Sequence, residues 1–216
     1  MKIVLFGATG NVGRGFVGEV LARGHVVTGV VRDPEAVSAP DPRVALVRGD
    51  ATDARSVAEL ARGADVVVSA ISPRPNARGL GAPSLAAAAR ALLAGVRQAG
   101  IRRLVVVGGA GSLEVAPGTM LLDAPGFPDA YKGEAIEGRD ALAVYRAEGQ
   151  GVDWTFVSPA AEIAPGARTG RYRTTDDRFL ADASGKSFIT FEDYAVALVD
   201  EIEHPKHLGR RFGVAY

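Results

Sequence analysis

Apolar positions along the chain follow two periods. Short continuous apolar runs alternate with longer stretches in which apolar residues recur every three or four positions, the pattern of buried strands alternating with amphipathic helices. Ile3–Phe6 is the first run, and the helix after it should extend from Asn11 to about Arg23, with Phe16, Val17, Val20 and Leu21 inward and Gly24 as its stop. Val26–Val31 and Val44–Val47 read as the second and third strands. The turn Gly49-Asp50-Ala51-Thr52-Asp53 leads from there into a helix of about Ala54 to Arg62, with Asp53 or Thr52 as its N-cap. Ala64–Ala70 is nearly all apolar, as a strand buried on both faces must be. Pro73 to Ala82 reads as a loop over a site, and a helix restarts near Pro83-Ser84 and ends before Gly100. Val105–Val107 marks a fifth strand, and Leu113 to Tyr131 a long loop of the kind that forms a substrate wall. Lys132 opens a helix to about Gln150 with Ile136, Leu142, Ala143 and Tyr145 inward, and Val152–Val157 is the sixth strand, with Trp154 embedded in it.

Six strands alternating with helices predict an α/β, Rossmann-like doubly wound parallel sheet. Residues 160–190 are polar and glycine-interrupted, with Arg168–Arg173 resembling an exposed strand or hairpin arm, so they predict a small C-terminal substrate cap on a single domain spanning 1–216. A helix from Phe191 to about Glu203, with Ala195, Leu198, Val199 and Ile202 as its apolar stripe, and a last strand over Arg211–Tyr216 complete the chain.

Charge narrows the partners. With 25 basic and 25 acidic residues among 216 and no long run of either sign, a nucleic-acid partner is not expected and a small molecule is. No cysteine is present, so disulfides and thiolate chemistry are excluded, and the first apolar run is too short for a signal peptide or membrane span, which predicts a cytoplasmic protein. His204 and His207 are separated by Pro205, which breaks any helix that could align both on a metal, so they read as helix-end histidines and no metal is expected. Only four of the 25 basic residues are lysines, which makes Lys132 at a helix start conspicuous, because the positive end of a helix dipole is an unfavourable place for a cation.

The candidate chemistry begins at Gly7-Ala8-Thr9-Gly10-Asn11-Val12-Gly13. Strand, glycine turn and helix in immediate succession form a dinucleotide-binding turn: Gly7 for a tight turn, Gly10 for close approach to a pyrophosphate, Gly13 for helix-to-strand packing. Thr9, Asn11 and Val12 complete that cradle, whose anion would sit at the unpartnered amide groups of the helix start. Arg32, the first side chain past the second strand, favours the 2'-phosphate of NADP over the 2'-hydroxyl of NAD. Asp33 before Pro34 reads as a helix cap, and Arg14 as an exposed helix residue that could assist the phosphate. Asp50, with Ala51, stands where an adenine amino group could be bound, a plain turn aspartate being the other reading. Ala70 and Ile71 end the fourth strand beside the cofactor path, and Gly108 opens a run of small residues, Gly108-Gly109-Ala110-Gly111-Ser112, that suggests a crowded backbone next to a ligand. Ser112 is a polar candidate near the reacting end, and Ser158-Pro159 terminates the sixth strand on the same side.

The glycine turn, Val31-Arg32-Asp33-Pro34, Gly49-Asp50, the Gly-Gly-Ala-Gly-Ser segment and Asp153–Pro159 occur in the order seen in atypical short-chain dehydrogenase/reductases. More narrowly, together with Arg168-Thr169-Gly170 and Phe191–Ala195, the chain resembles the NAD(P)H-binding family described as NADH-flavin reductases, related to biliverdin reductase B and NmrA-like proteins. That resemblance implies hydride transfer from NAD(P)H to a flavin (FMN or FAD), a quinone or a similar planar acceptor, the alternative being a non-catalytic NADP-binding sensor. It also implies that Ser112 takes the place of the superfamily's catalytic serine and Lys132 that of the lysine which holds the nicotinamide ribose. The tyrosine expected four residues before Lys132 is Pro128, Tyr131 would point about 100° away from the lysine on a helix, and Tyr145 is followed four residues later by Gly149. The usual proton donor is therefore missing from its motif, which counts against carbonyl reduction or epimerisation by the standard route.

Overall fold

Both predicted periods are present in the computed structural model, which describes residues 1–73 and 84–216. In chain order the elements are β1 (Lys2–Phe6), α1 (Asn11–Ala22), β2 (Val26–Val31), β3 (Ala45–Arg48), α2 (Ala54–Ala61), β4 (Val66–Ser69), α3 (Leu85–Ala99) and β5 (Arg103–Val107). They continue with β6 (Glu114–Ala116), β7 (Thr119–Met120), α4 (Asp129–Glu148), β8 (Asp153–Ser158), β9 (Glu162–Ala164), β10 (Arg173–Thr175), β11 (Phe188–Thr190), α5 (Phe191–Glu203) and β12 (Arg210–Ala215). The loop expected over 73–82 and the start of its following helix at Pro83 lie, beyond Pro73 itself, outside the described residues; Ser84 caps α3 by accepting from the Ala87 amide.

Eight strands form one sheet in the order β3-β2-β1-β4-β5-β8-β12-β10. Every pairing in it is parallel except that of β10 with β12. The order reverses between β1 and β4: the chain steps outward from β1 to β2 and β3, then returns to the other side of β1. Such a switch point opens a crevice at the carboxyl ends of the two strands, where open parallel sheets bind their ligands.

The period of two along each strand divides the core. Ile3, Leu5, Val66, Val68, Val105 and Val157 face one side with Phe16, Val17 and Val20 of α1 and Tyr194, Leu198 and Ile202 of α5. Val4, Phe6, Val67, Leu104, Trp154 and Phe156 face the other, with Val57 of α2, Leu92, Leu93 and Val96 of α3, and Leu142 and Tyr145 of α4. Each large side chain buried this way contributes about 1.5–3 kcal/mol, so strand sequences apolar at both parities are what a sheet covered on both faces requires.

Three expectations are corrected. Leu113–Tyr131 is not an open loop: it holds the β6–β7 hairpin, turned by Gly118 at φ +73°, and a 3-10 turn over Leu121–Asp123, and α4 starts at Asp129, ahead of Lys132. Leu113 and Leu122 are buried, which is what anchors the segment. Ala143 is exposed, because at 100° per residue it lies opposite the inward arc of Gly138, Ala141, Leu142 and Tyr145. Arg173 belongs to β10, the edge strand of the main sheet, while the cap consists of the parallel β9–β11 pair and the irregular chain around Arg168. That cap bonds Asp193 of α5 through Thr169 and Gly170, so the helix buries a carboxylate there as well as its apolar stripe.

Candidate functional site

At the switch point the three glycines meet different constraints. Gly7 has φ +86°, and a Cβ there would lie 2.5 Å from the Ala70 carbonyl oxygen, so the turn runs directly against the end of β4. A Cβ on Gly13 would lie 2.2 Å from the Gly7 carbonyl oxygen, so glycine lets α1 pack onto the turn. Gly10 is different. It is exposed, its φ of −72° suits any residue, and its Cβ would meet only the Gly7 oxygen at an ordinary 3.5 Å. Nothing within the protein demands glycine there, which leaves close approach from outside as the reason for it.

The same residue is the N-cap of α1, and it offers no side-chain acceptor to the first amide groups. The other described α-helices treat their starts otherwise. Asp53, Ser84 and Thr190 cap α2, α3 and α5 by accepting amide hydrogen bonds, and α4 carries Asp129 in its first turn. Among the described α-helices only α1 has neither a side-chain cap nor an acidic residue in its first turn, so its first amide groups and the positive end of its dipole meet no compensating side chain there. Arg14, exposed as expected, donates from Nε to the Thr9 carbonyl oxygen at 3.0 Å, which tethers a guanidinium beside the turn.

Around this cradle the structure gathers most of the predicted cofactor residues. Thr9, Asn11 and Val12 lie in the turn and the first residues of α1, and Ala70 and Ile71 are half-buried at the end of β4, against Gly7. Arg32 is exposed at the tip of β2. Asp33 caps a single 3-10 turn over Pro34–Ala36 without using its side chain, which instead meets Arg48 at 3.2 Å. Asp50 behaves as a turn aspartate, one oxygen accepting from the Thr52 amide at 2.8 Å and hydroxyl at 2.7 Å, and Ala51 is buried beside it.

Farther along, the candidates separate. The crowding at Gly108 comes from the fold: a Cβ there would strike the Phe156 ring at 2.0 Å, and one on Gly111 would meet the Ala135 Cβ at 2.5 Å, whereas Gly109 faces open space. Ser158 is fully buried with its hydroxyl unpartnered and Pro159 is buried next to it, so neither offers surface to a ligand here. Ser112 is 5% exposed, and its hydroxyl accepts from Arg211 Nη1 at 2.8 Å. It edges a groove of roughly 510 Å³ between the β6–β7 hairpin and α4, whose helix wall begins at Arg139. Lys132 lies seven residues earlier, about 10 Å along the axis at 1.5 Å per residue, exposed in the first turn of α4. Ser112 is not itself on α4; its neighbour Gly111 packs against Ala135, three residues on from Lys132.

Arg211 itself was not singled out, although an arginine entering the apolar run of the last strand is a visible signal. Its guanidinium is 4% exposed and is held by Asp177 through Nε at 2.7 Å, while burial pulls its pKa down against that carboxylate. Three tyrosine hydroxyls are held by other groups of the chain. Tyr194 donates to the Val157 carbonyl at 2.6 Å, Tyr172 to Asp200 at 2.5 Å and Tyr216 to Asp193 at 2.6 Å, and Tyr145 stacks into the core beside Trp154 and Phe156. Burial raises the pKa of all four, further aided by the carboxylates at Tyr172 and Tyr216. Tyr131, 54% exposed, is the tyrosine that stands on the first turn of α4 with Lys132. His207 bonds Glu201 at 2.7 Å and stacks on Phe212, and His204 ends α5 separately. Among the described residues no group of three or more His, Asp or Glu side chains is arranged to hold a metal, and no helix is long and apolar enough to cross a membrane.

With this geometry in view, comparison with known proteins is informative. Residues 7–205 match the model of a family described as NAD(P)H-binding. The uncharacterised protein YwnB of Bacillus subtilis is 39% identical over 217 residues, covering 99% of this chain and 98% of that one. Among solved structures, a Burkholderia pseudomallei protein named provisionally as exported superposes with a TM-score of 0.89 at 47% identity, with 100% of both chains covered. A Bacteroides thetaiotaomicron protein named provisionally as an epimerase gives 0.87 at 40%, covering 100% of this chain and 96% of that one. A Streptococcus pneumoniae protein named provisionally as an NADH-flavin reductase gives 0.80 at 31%, covering 100% and 99%. These relatives agree on the fold and differ in the chemistry their names attach to it.

Proposed function

Because the chain belongs to the NAD(P)H-binding family, whose model spans residues 7–205, we propose that it is an NADPH-dependent oxidoreductase that delivers hydride to a flavin, a quinone or a similar planar, electron-poor acceptor. The observation that carries the cofactor half is the start of α1: an exposed glycine the fold does not require, at a helix end left without cap or carboxylate, inside the switch-point crevice.

When bound, the nicotinamide supplies the hydride chemistry, and the chain's own residues need only bind, orient and shield. The amide groups at the head of α1 would take the pyrophosphate, with Arg14 beside them. Gly7 and Ala70 would let the dinucleotide pass between the ends of β1 and β4, and Arg32 would face the adenosine ribose. Lys132 projects from the first turn of α4, where its ammonium would hydrogen-bond the ribose hydroxyls at the reacting end. Ser112 would serve from behind, fixing the wall through Arg211, because its burial keeps it from open contact. The acceptor half of the reading rests on the tyrosines. With Tyr145, Tyr172, Tyr194 and Tyr216 buried or bonded, Tyr131 about 100° round the helix from Lys132 and Pro128 four residues before it, a route that takes its proton from solvent suits this chain better than tyrosine-driven epimerisation. The names of the Streptococcus and Bacteroides relatives stand on either side of that choice.

Turnover decides it. NADPH oxidation followed at 340 nm should be sustained by added FMN, FAD or menadione and should remain absent without acceptor. Tight NADP binding with no turnover on any of the three would replace the reductase reading with a cofactor-binding sensor.

A further inference from the structure

Arg48 was not among the residues expected to touch a cofactor, yet the register of the sheet brings it to the adenosine end of the crevice. β2 and β3 run parallel with Val31 opposite Arg48, so the last residue of the edge strand lies beside the last residue of β2. The Gly49 amide donates to the Val31 carbonyl at 2.9 Å and fixes that alignment. From there the Arg48 guanidinium reaches over the tip of β2. One nitrogen donates to the Arg32 carbonyl at 3.1 Å and the other to the Asp33 carboxylate at 3.2 Å. The Arg48 side chain remains 65% exposed and that of Asp33 36%.

This arrangement bears on cofactor choice, and it rests on the proposal that the crevice binds a nicotinamide dinucleotide. An acidic side chain just past the second strand is the group that would accept hydrogen bonds from the ribose hydroxyls of NAD, and it would repel a 2'-phosphate. The chain carries such a group at Asp33. We propose that Arg48 is a specificity-determining residue: it occupies and neutralises Asp33, and together with Arg32 presents a pair of guanidiniums to a 2'-phosphate. An exposed ion pair adds little to stability, so the consequence of the contact is selectivity more than fold. Two planar guanidiniums are suited to a phosphate dianion, and removal of Arg48 subtracts one of them together with a counter-charge to a carboxylate of the opposite preference.

Dissociation constants of NADPH and NADH, measured by fluorescence titration on the full chain, test this in four proteins: wild type, Arg48→Ala, Asp33→Asn and the double variant. Wild type should prefer NADPH. Arg48→Ala should lower that preference by about tenfold or more at low salt, with a thermal unfolding midpoint close to that of wild type. In the Asp33→Asn background the same change should cost markedly less preference, since the carboxylate that Arg48 offsets is gone. Equal losses for both cofactors, no change in the ratio, or the same loss in both backgrounds would overturn the assignment while leaving the cofactor reading intact. A wild type that prefers NADH overturns it as well. Failure of wild type to bind either cofactor would instead sink the cofactor reading on which it depends.

Discussion

Gly10 and Gly13 look equivalent in a glycine motif, and their surroundings say they are not. A methyl at position 13 would be driven to 2.2 Å from a backbone oxygen that cannot move without reopening the turn, so Gly13→Ala should destabilise the protein by about 3 kcal/mol. A methyl at position 10 meets nothing closer than 3.5 Å and costs less than about 1 kcal/mol, the worth of a weak cap. Its effect should fall on the ligand, weakening NADPH about tenfold or more by blocking approach to the backbone. Chemical denaturation and cofactor titration on the two variants should therefore give opposite rankings. The spacing identified the motif, but only packing against Ala70 and the Gly7 carbonyl separates the glycine the fold needs from the one it can spare.

Among the elements, α5 shows how a polar residue becomes structural. Thr190 caps the helix, and three residues on Asp193 is fully buried with the amides of Thr169 and Gly170, the Thr169 hydroxyl and the Tyr216 hydroxyl on its carboxylate at 2.5–2.8 Å. Gly166 adds a bond to Glu192, and Arg168 reaches Glu19 of α1 at 2.6 Å. The cap segment is thereby fastened to both helices on that face. Burial pushes the Asp193 pKa up, but the donors outweigh it and hold the carboxyl below its ordinary value. A carboxyl with a depressed folded pKa stabilises the native state above its unfolded pKa, about 3.9, and loses that contribution as pH falls through the lower folded value. Asp193→Asn should thus cost about 3 kcal/mol at pH 7, and the gap to wild type should narrow as pH falls below the unfolded value and through the lower folded one, as read by urea unfolding at each pH. The helix itself was legible from its apolar repeat, with its ends at Phe191 and Glu203. The latch was not, because it joins residues 23 or 24 positions apart that share no local pattern.

Across the whole molecule the two ends of the sheet do different work. At the carboxyl end lie the glycine turn, Arg32 and Arg48, and at the opposite end Arg103 opens β5 and bonds Glu201 of α5 at 3.1 Å, the Asp153 carbonyl and the Thr155 hydroxyl at 2.8 Å. Their side chains are 11% and 3% exposed, and burial lowers the Arg103 pKa while Glu201 opposes that shift. Removing one partner of a buried pair leaves the other charge uncompensated, so Glu201→Ala should cost about 3–5 kcal/mol. Because the pair is at the far end, the folded variant should bind NADPH like wild type, and a matching loss of affinity would show that the two ends are coupled.

The doubly wound sheet, its helices and the glycine turn were all legible in the order of residues, because the periods of two and 3.6 and the strand-glycine-helix succession are local properties of a chain. Folding decided the partners. Ser112 is bonded to an arginine 99 residues away and Asp33 to one 15 residues away. Those outcomes depend on strand order and on which residue stands opposite which across the sheet. Neither is encoded in the spacing of residues along a single element, and so both appear only once β3 has been laid beside β2 and β12 beside β8.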